Sequence, residues 1–171
     1  FLTLFSLSWG GKRAGGILGS SKYHHFLMDD MGIGDCRAYN KSSKVHLPNL
    51  EKLAKEGIRF TDAHAPAAVC APTRYSILTG NYPWRGRNPN GTWLFNMPSQ
   101  VLPGQQTIGQ LFKKAGYHTA FLGKVHLGGK VFSKSTGKPK LSMKGGFQDF
   151  DFSRKVEDSP ASLGFDYAYE L

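Results

Sequence analysis

An α/β fold with a mainly parallel sheet flanked by helices is predicted by the sequence. Segments with the composition of short strands alternate along the chain with segments that carry the apolar stripe of a helix. This alternation is typical of parallel sheets, because a parallel connection usually runs through a helix. The chain has 171 residues, 40% of them hydrophobic, which is enough for one domain with a sizeable core.

Local signals place the individual elements. Aromatic and β-branched residues predict three strands, at 23–28, 58–65 and 117–123. Apolar spacing predicts three helices, at 48–56, 72–79 and 107–114. A proline or a threonine cap opens each helix and a glycine follows it: Pro48 and Gly57, Pro72 and Gly80, Thr107 and Gly116. Prolines interrupt any period between residues 81 and 106, which predicts a loop.

Polar segments lie beyond the predicted strands. MDDMGIGD (28–35) follows the first strand and GKVH (123–126) follows the third. The segment around Cys70 follows the second strand after a few loop residues. Ligands of open parallel sheets bind beyond the carboxyl ends of the strands. We therefore expect these three segments to meet at one edge of the sheet and to form a site there.

The charge balance indicates an anionic partner. The net charge is +10, from 22 Lys and Arg against 12 Asp and Glu, which favours nucleic acid, acidic polysaccharide, or a sulfate or phosphate ester. The sequence has neither an aromatic RNA-binding signature nor zinc-finger spacing, so nucleic acid is not the expected partner. No apolar run approaches the roughly 20 residues that span a bilayer, so no transmembrane segment is expected.

Cysteine usage leaves two interpretations open. Cys36 and Cys70 are the two cysteines, too few for a disulfide framework. They are either one bridge or two separate thiols. Cys70 stands at or just before the predicted start of a helix, where free N–H groups and the helix dipole favour negative charge. Arg74, four residues on, adds a cation on the same side. The alternative is a small buried cysteine beside a surface arginine.

Five segments resemble the formylglycine-dependent sulfatase family. CAPTRYSILTG (70–80) is similar to its C-x-P-S/T-R signature with the following L-T-G, and MDDMGIGD to its paired-aspartate metal turn. The segment from Pro48 to Cys70, GKVHLG (123–128) and LGFDYAYE (163–170) are similar to family segments in the same order. The resemblance covers about residues 26–171. It implies an alkaline-phosphatase-like sulfatase domain that is incomplete in this chain.

The resemblance implies a specific fate for Cys70. In sulfatases a formylglycine-generating enzyme reads the C-x-P-x-R segment before folding is complete and oxidises the cysteine to an aldehyde. Pro72 and Arg74 would then be part of the recognition sequence. The hydrated aldehyde has two hydroxyls on one carbon, of which one attacks the sulfur of the ester and the other allows release of the sulfate. The implied activity is that of a sulfuric ester hydrolase, an arylsulfatase-like enzyme.

The resemblance also implies roles for four further residues. Asp29 and Asp30, together with oxidised Cys70, would be ligands of Ca²⁺ or Mg²⁺, which take oxygen ligands. Lys124 would bind the sulfate or the formylglycine hydroxyl, and His126 would hydrogen-bond formylglycine or assist proton transfer. Without the resemblance, the aspartates are as well explained by a solvated acidic turn, and Lys124 and His126 by a surface lysine and a loop histidine. Asp35 is interpreted as structural.

Two alternatives to a sulfatase remain open at this stage. One is a phosphonate or phosphate ester hydrolase of the same superfamily, and the other is a non-catalytic binder of sulfated glycans. We expect residues 1–22 to be an unmatched leader or linker, and 23–171 to be the N-terminal part of a sulfatase catalytic domain, inactive by itself. The expected substrate is a sulfate ester, including sulfated carbohydrate. The compartment is left open, with export favoured by the resemblance.

Overall fold

The chain forms two compact units in the computed structural model, which describes residues 22–90, 93–141 and 146–170 and the backbone of 4–9. The first unit is Phe1–Ala68 and the second is Val69–Leu171. Each unit has its own strands and helices. None of the described helices is long and apolar enough to cross a membrane.

An antiparallel strand pair opens the first unit. Strand β1 (Leu4–Trp9) pairs with β2 (Lys22–Leu27), with Leu4 opposite Leu27. β2 confirms the strand predicted at 23–28, shifted by one residue. β1 falls inside the 1–22 segment expected to be a leader or linker, whose residues 1–3 and 10–21 lie outside the described part of the chain.

Helix α1 has the predicted bounds. It runs over Pro48–Glu56, with Pro48 in its first turn, where the missing N–H costs nothing. Gly57 ends it and donates its N–H to the Leu53 carbonyl at 2.8 Å. The apolar stripe of α1 and the end of β2 border one groove of about 460 Å³, which Phe26, Met28, Leu50 and Leu53 help to line.

The strand predicted at 58–65 is wrong. The segment has no strand backbone, and Ile58 and Phe60 expose 85% and 66% of their surface. Alternating apolar residues suit a strand only when a neighbour pairs with its N–H and C=O groups and covers one face. No described strand pairs with this segment.

The second unit begins with the helix that contains the signature. Helix α2 covers Cys70–Thr79, so it starts two residues before the predicted Pro72. Gly80 ends it in a left-handed conformation, φ +68°, and donates to the Ser76 carbonyl at 2.8 Å. Glycine adopts this backbone without the steric cost that a side chain adds.

A helix and a parallel strand pair complete the second unit. Helix α3 covers Ile108–Lys114, after a reciprocal cap in which Gln110 N–H donates to Thr107 Oγ1 and Thr107 N–H to Gln110 Oε1. Strand β3 (Ala120–Gly123) is shorter than the predicted 117–123 and pairs in parallel with β4 (Tyr167–Glu170), which was not predicted.

The sheet prediction is therefore only partly confirmed. β3 and β4 form a parallel pair, and α3 precedes β3 in the chain. β1 and β2, in contrast, are antiparallel. The strand predicted at 58–65 does not contribute to a sheet, because that segment has no strand backbone. The described strands make two sheets of two strands each.

The core of the second unit packs around α2. Tyr75 is fully buried and meets Trp93 edge to face, with ring centroids 5.8 Å apart. Residues from α2, from the segment after β3, from the 81–106 loop and from the turn before β4 share this cluster: Ala71, Tyr75, Leu78, Trp93, Val125, Leu127 and Leu163. The same packing that stabilises α2 therefore also covers the 125–127 segment.

A polar cluster joins the start of β3 to the start of β4. Asp166 Oδ2 accepts hydrogen bonds from the Thr119 N–H at 3.0 Å and the Thr119 hydroxyl at 3.1 Å. Its other oxygen lies 2.6 Å from Lys113 Nζ, at the end of α3. The Lys113 ammonium and these N–H and O–H donors lower the pKa of Asp166 to about 2. The carboxylate is thus the form that the fold stabilises.

This cluster predicts acid sensitivity. Because the pKa of Asp166 is lowered from 3.8 to about 2, its contribution to stability is complete above about pH 4 and is lost as the pH falls towards 2. Asp166→Asn should lower the melting temperature above pH 4, and the difference from the wild type should shrink towards pH 2. Thermal melts across this pH range, followed by circular dichroism, measure it.

The matched control is Asp62→Asn, which removes an exposed carboxylate from the first unit. That variant should melt like the wild type above pH 4. A constant difference between Asp166→Asn and the wild type down to pH 2 would contradict the proposed role of the carboxylate.

Candidate active site

Cys70 lies at the N-terminus of α2, as the sequence predicts. It is the first residue of the helix, and Val69 before it supplies no side-chain cap. The N–H groups of a first helical turn have no intrahelical partners, and the helix dipole adds positive potential there. Cys70 is half-buried. Negative charge on the side chain at position 70 is therefore favoured by the backbone around it.

His126 contacts Cys70 directly. Its Nδ1 lies 3.2 Å from Cys70 Sγ, which joins two motifs that are 56 residues apart in the chain. The distance is within hydrogen-bonding range for sulfur, and the tautomer of the ring decides which atom donates. A thiol and an imidazole in contact can exchange a proton at these two atoms.

Arg74 is buried and bridges the same two segments. Only 8% of its surface is exposed, and its Nη1 donates a hydrogen bond to the Lys124 carbonyl. The alternative of a surface arginine beside a buried cysteine is therefore wrong. A buried guanidinium is costly unless it is hydrogen-bonded, so this contact links α2 firmly to the residue that follows β3.

Lys124 and His126 do not follow the alternation expected of a strand. β3 ends at Gly123, and His126 has a left-handed backbone with φ +52°. The two-residue period of a strand therefore does not set the directions of their side chains. The Lys124 side chain is exposed, while His126 is half-buried. Two contacts hold them beside α2 instead: Arg74 bonds the Lys124 carbonyl, and Cys70 contacts the His126 ring.

Residues 97–100 support the segment that contains His126. The sequence did not predict this support. Gly129 N–H donates to the Met97 carbonyl at 2.7 Å, and Gln100 N–H to the Leu127 carbonyl at 2.9 Å. A Cβ at Gly128 would lie 2.5 Å from the Met97 oxygen. The two adjacent glycines after Leu127 were the available signal of close backbone approach.

Asp29 and Asp30 lie in the first unit, in the turn that follows β2. Both are exposed, and Asp30 has a left-handed backbone with φ +60°. Asp35 accepts the Gly32 N–H at 2.8 Å and so closes the turn, in line with its structural interpretation. Adjacent carboxylates suit a hard divalent cation. The described residues contain no group of three or more His, Cys, Asp or Glu that could hold a metal ion.

Fold and site together define the class of this chain: an α/β protein with a cysteine at a helix N-terminus, in contact with a histidine from the segment after a parallel strand. The chain belongs to the sulfatase family, because the family model described as Sulfatase matches residues 23–168.

Relatives from bacteria and mammals agree with this assignment. The chain is 36% identical over 147 residues to an N-acetylgalactosamine-6-O-sulfatase of Bacteroides thetaiotaomicron, covering 86% of this chain and 25% of that protein. It is 40% identical over 107 residues to the steryl-sulfatase of Mus musculus, covering 60% and 17%. The chain therefore spans about a quarter or less of the length of these relatives.

A solved structure extends the similarity to the fold. It comes from work on the metabolism of multiple glycosaminoglycans by Bacteroides thetaiotaomicron and superposes with a TM-score of 0.63 at 33% sequence identity. The match covers 84% of this chain and 26% of that one. The similarity extends over most of the chain.

The close packing at Gly128 leads to a second prediction. Gly128→Ala introduces a Cβ at φ +85° that would lie 2.5 Å from the Met97 oxygen. We expect a loss of about 2–4 kcal/mol of stability, from backbone strain and overpacking combined. The His126 contact should loosen, so that a thiol reagent modifies Cys70 at a different rate. Denaturant unfolding and thiol labelling measure the two effects.

Gly104→Ala is the matched control, because Gly104 has the same φ of +85° and no atom within 4 Å of the added Cβ. It should cost only the backbone strain, about 1–2 kcal/mol, and leave thiol labelling unchanged. Equal effects of the two variants on unfolding would show that residues 97–100 do not constrain the segment.

Proposed function

We propose that this chain carries the nucleophile of a sulfuric ester hydrolase, with Cys70 as the precursor of formylglycine. The observation that carries the proposal is the 3.2 Å contact between Cys70 Sγ and His126 Nδ1 at the start of α2. Membership of the sulfatase family supports it. The hydrated aldehyde would supply one hydroxyl as nucleophile and a second one for release of the sulfate.

The start of α2 favours this chemistry at position 70. The first-turn N–H groups and the helix dipole stabilise an oxyanion on that side chain. Nδ1 of His126 is at hydrogen-bonding distance from the atom that occupies the Sγ position. His126 can therefore orient a hydroxyl at position 70 and accept or return its proton.

Arg74 and Lys124 would act in different ways. Arg74 is a positioning residue, because its buried guanidinium bonds the Lys124 carbonyl and so holds the Lys124–His126 segment beside α2. Lys124 has an exposed side chain, and its ammonium is suited to bind a sulfate oxygen of the substrate.

Burial of the signature supports modification before folding. Residues 71–75, which include Pro72 and Arg74, are all buried in the folded chain. A modifying enzyme that reads C-x-P-x-R as an extended segment has no access to these side chains after folding. The segment is thus suited to be read first and to become part of the core afterwards.

Asp29 and Asp30 are the proposed ligands for a divalent cation. Their carboxylates are exposed in one turn, which is the donor chemistry that Ca²⁺ and Mg²⁺ prefer. Such a cation would act as a Lewis acid that polarises the oxygens of a sulfate ester. Two carboxylates are fewer than the six or more oxygens that these ions take, so other oxygens must complete the shell.

A sulfated carbohydrate is the substrate class that we propose. The similarity to the bacterial N-acetylgalactosamine-6-O-sulfatase extends over 86% of this chain, and the net charge of +10 suits an acidic polysaccharide. Phosphonate and phosphate esters, and glycan binding without turnover, stay as alternatives that a panel of esters separates. The expected inactivity of the isolated chain also stays a prediction.

The proposal predicts that Cys70 becomes an aldehyde. When the chain is synthesised together with a formylglycine-generating enzyme, the tryptic peptide 60–74 should carry an aldehyde in place of the thiol and should react with a hydrazide. The purified folded chain should not be converted, because residues 71–75 are buried. Mass spectrometry of the peptide measures both outcomes.

Two variants control this experiment. Thr73→Ser preserves the signature and should be converted like the wild type. Arg74→Ala, which removes a trypsin site and is followed in the longer peptide 60–85, should be converted much less. A thiol that persists in the wild type, while a known sulfatase is converted in the same cells, would remove the proposed nucleophile. Conversion of Arg74→Ala as complete as that of the wild type would remove Arg74 from the recognition sequence.

The metal proposal has its own test. Ca²⁺ and Mg²⁺ binding to the chain, measured by calorimetry, should weaken by about tenfold when Asp30 is replaced by asparagine. Glu56→Gln is the control, because it removes an exposed carboxylate from α1 in the same unit. It should leave the affinity unchanged. Equal affinities of the Asp30→Asn variant and the wild type would exclude Asp30 as a ligand.

A further inference from the structure

Two aromatic side chains form a stacked pair on the surface of the second unit. The rings of Tyr82 and Trp84 are nearly parallel, with centroids 4.4 Å apart and an angle of 6° between their planes. Tyr82 exposes 55% of its surface and Trp84 exposes 59%. This pair, the aromatic platform, therefore presents large flat apolar surfaces to a ligand instead of burying them in the core.

The turn that presents the aromatic platform is fixed by the core of the unit. Pro83–Arg85 form a single 3₁₀ turn. The N–H of its last residue donates to the Tyr82 carbonyl, and the carbonyl of that residue accepts from Gln105 Nε2, both at 3.0 Å. Gly86 packs against α2, where an added Cβ would lie 3.3 Å from the ring of the fully buried Tyr75. A ligand that stacks on the platform therefore loses little free energy in ordering it.

Two exposed arginines belong to the same turn. Arg85 directly follows Trp84, and Arg87 is held by its Nε, which donates to the Ser99 carbonyl at 2.7 Å. Neither arginine is in an ion pair within the described part of the chain. The carboxylates of the second unit that form ion pairs there do so with lysines, namely Lys113, Lys130 and Lys140. The turn therefore combines aromatic faces with positive charge that no carboxylate compensates.

The charge of the chain is concentrated in the stretch that contains this turn. No Asp or Glu occurs between Asp62 and Asp149, whereas 11 Lys and Arg do. The rest of the chain has 11 Lys and Arg against 12 Asp and Glu, so this one stretch accounts for the net charge of +10. A polyanion is attracted to such a surface, because the stretch has no acidic side chain to repel it.

Flat aromatic faces beside arginines favour an acidic polysaccharide as the ligand. The C–H bonds on the face of a sugar ring are weakly positive and pack on the negative face of an aromatic ring. Sulfate and carboxylate groups accept hydrogen bonds from the planar fork of arginine. A lipid surface takes segments with a broad apolar face, whereas the neighbours of the two rings in this turn include Arg85, Arg87 and Asn88.

We propose that the aromatic platform, together with Arg85 and Arg87, is a surface binding site for an acidic polysaccharide, separate from the Cys70–His126 contact. Cys70 is the first residue of α2, and the turn follows the other end of this helix, which is about 14 Å long. The site goes beyond the proposed function, because it binds the polysaccharide without formylglycine and without hydrolysis of an ester.

The test is a titration of the chain with an octasaccharide of alternating uronic acid and sulfated amino sugar, at constant ionic strength. Calorimetry should show that Trp84→Ala weakens binding about tenfold, because a stacking face is lost. Arg85→Gln should weaken binding about threefold and reduce its salt dependence. Trp84→Tyr retains an aromatic ring and should keep most of the affinity. Binding should change the tryptophan fluorescence of the wild type but not that of Trp84→Tyr.

Two variants in the same unit are matched controls. Tyr169→Ala removes a ring that is exposed to the same extent, 59%, but lies on β4. Lys138→Gln removes an exposed cation from the same stretch without carboxylates. Both should bind within about twofold of the wild type.

Several outcomes would overturn the site. These are a wild-type chain that does not bind the octasaccharide, a Trp84→Ala variant that binds like the wild type, and an equal loss in Tyr169→Ala. Tighter binding of an oligouridylate, or of vesicles of anionic phospholipid, would assign the platform to nucleic acid or to a membrane instead. A fluorescence change that persists in Trp84→Tyr would place the ligand elsewhere.

The outcome is separable from that of the proposed function. Cys70→Ala removes the precursor of the nucleophile but leaves the turn intact, so it should keep the affinity and the fluorescence change. Loss of binding in this variant would place the polysaccharide at the Cys70–His126 contact and overturn the separate site. Failure of Cys70 to become an aldehyde overturns the proposed nucleophile, while the titration of Trp84→Ala still decides the surface site.

Discussion

Burial of the Arg74 guanidinium is the constraint on which the second unit depends. An arginine that is 8% exposed needs hydrogen-bond acceptors inside the fold. Its Nη1 bonds a backbone carbonyl, that of Lys124, so the constraint acts on the course of the chain and not only on one side chain. The segment after β3 must therefore run beside α2. His126 reaches Cys70 because the chain is held two residues before it.

The helices were predicted well because local signals in the sequence determine them. The strands were predicted less well because each strand needs a pairing partner that is distant in sequence. Pro48, Gly80 and the Thr107 cap act within one or two turns, so the sequence alone contains their effect. A strand depends on a neighbour that is distant in sequence. The 58–65 segment has suitable residues but no described pairing strand, whereas the YAYE segment of β4 pairs with β3 and was not predicted.

The sequence predicted part of the candidate site, but the strand geometry on which that prediction relied differs from the structure. The segments of Cys70 and His126 were expected to meet, and these two side chains are in contact. The expected place of the Asp29–Asp30 turn beside them stays a prediction. Lys124 and His126 were expected to point the same way because they are two residues apart after a strand. However, β3 stops at Gly123 and His126 has a left-handed backbone, so strand alternation does not apply to them. The support from Met97 and Gln100 lies in a segment without periodicity, where neither propensity nor spacing predicts a contact.

The left-handed backbone of His126 explains why this support is needed. A residue with a side chain at φ +52° is strained, and the strain persists only where the surrounding contacts over-determine the conformation. Here the Arg74 bond at Lys124 acts before His126, and the packing of Gly128 against Met97 acts after it. Both contacts involve backbone carbonyl oxygens and form only in the folded chain. Under the proposed function, the C-x-P-x-R segment is therefore read in one conformation and used in another. If Cys70 is modified as proposed, the burial of Arg74 would remove the segment from the modifying enzyme and in the same step bring the histidine to the modified side chain.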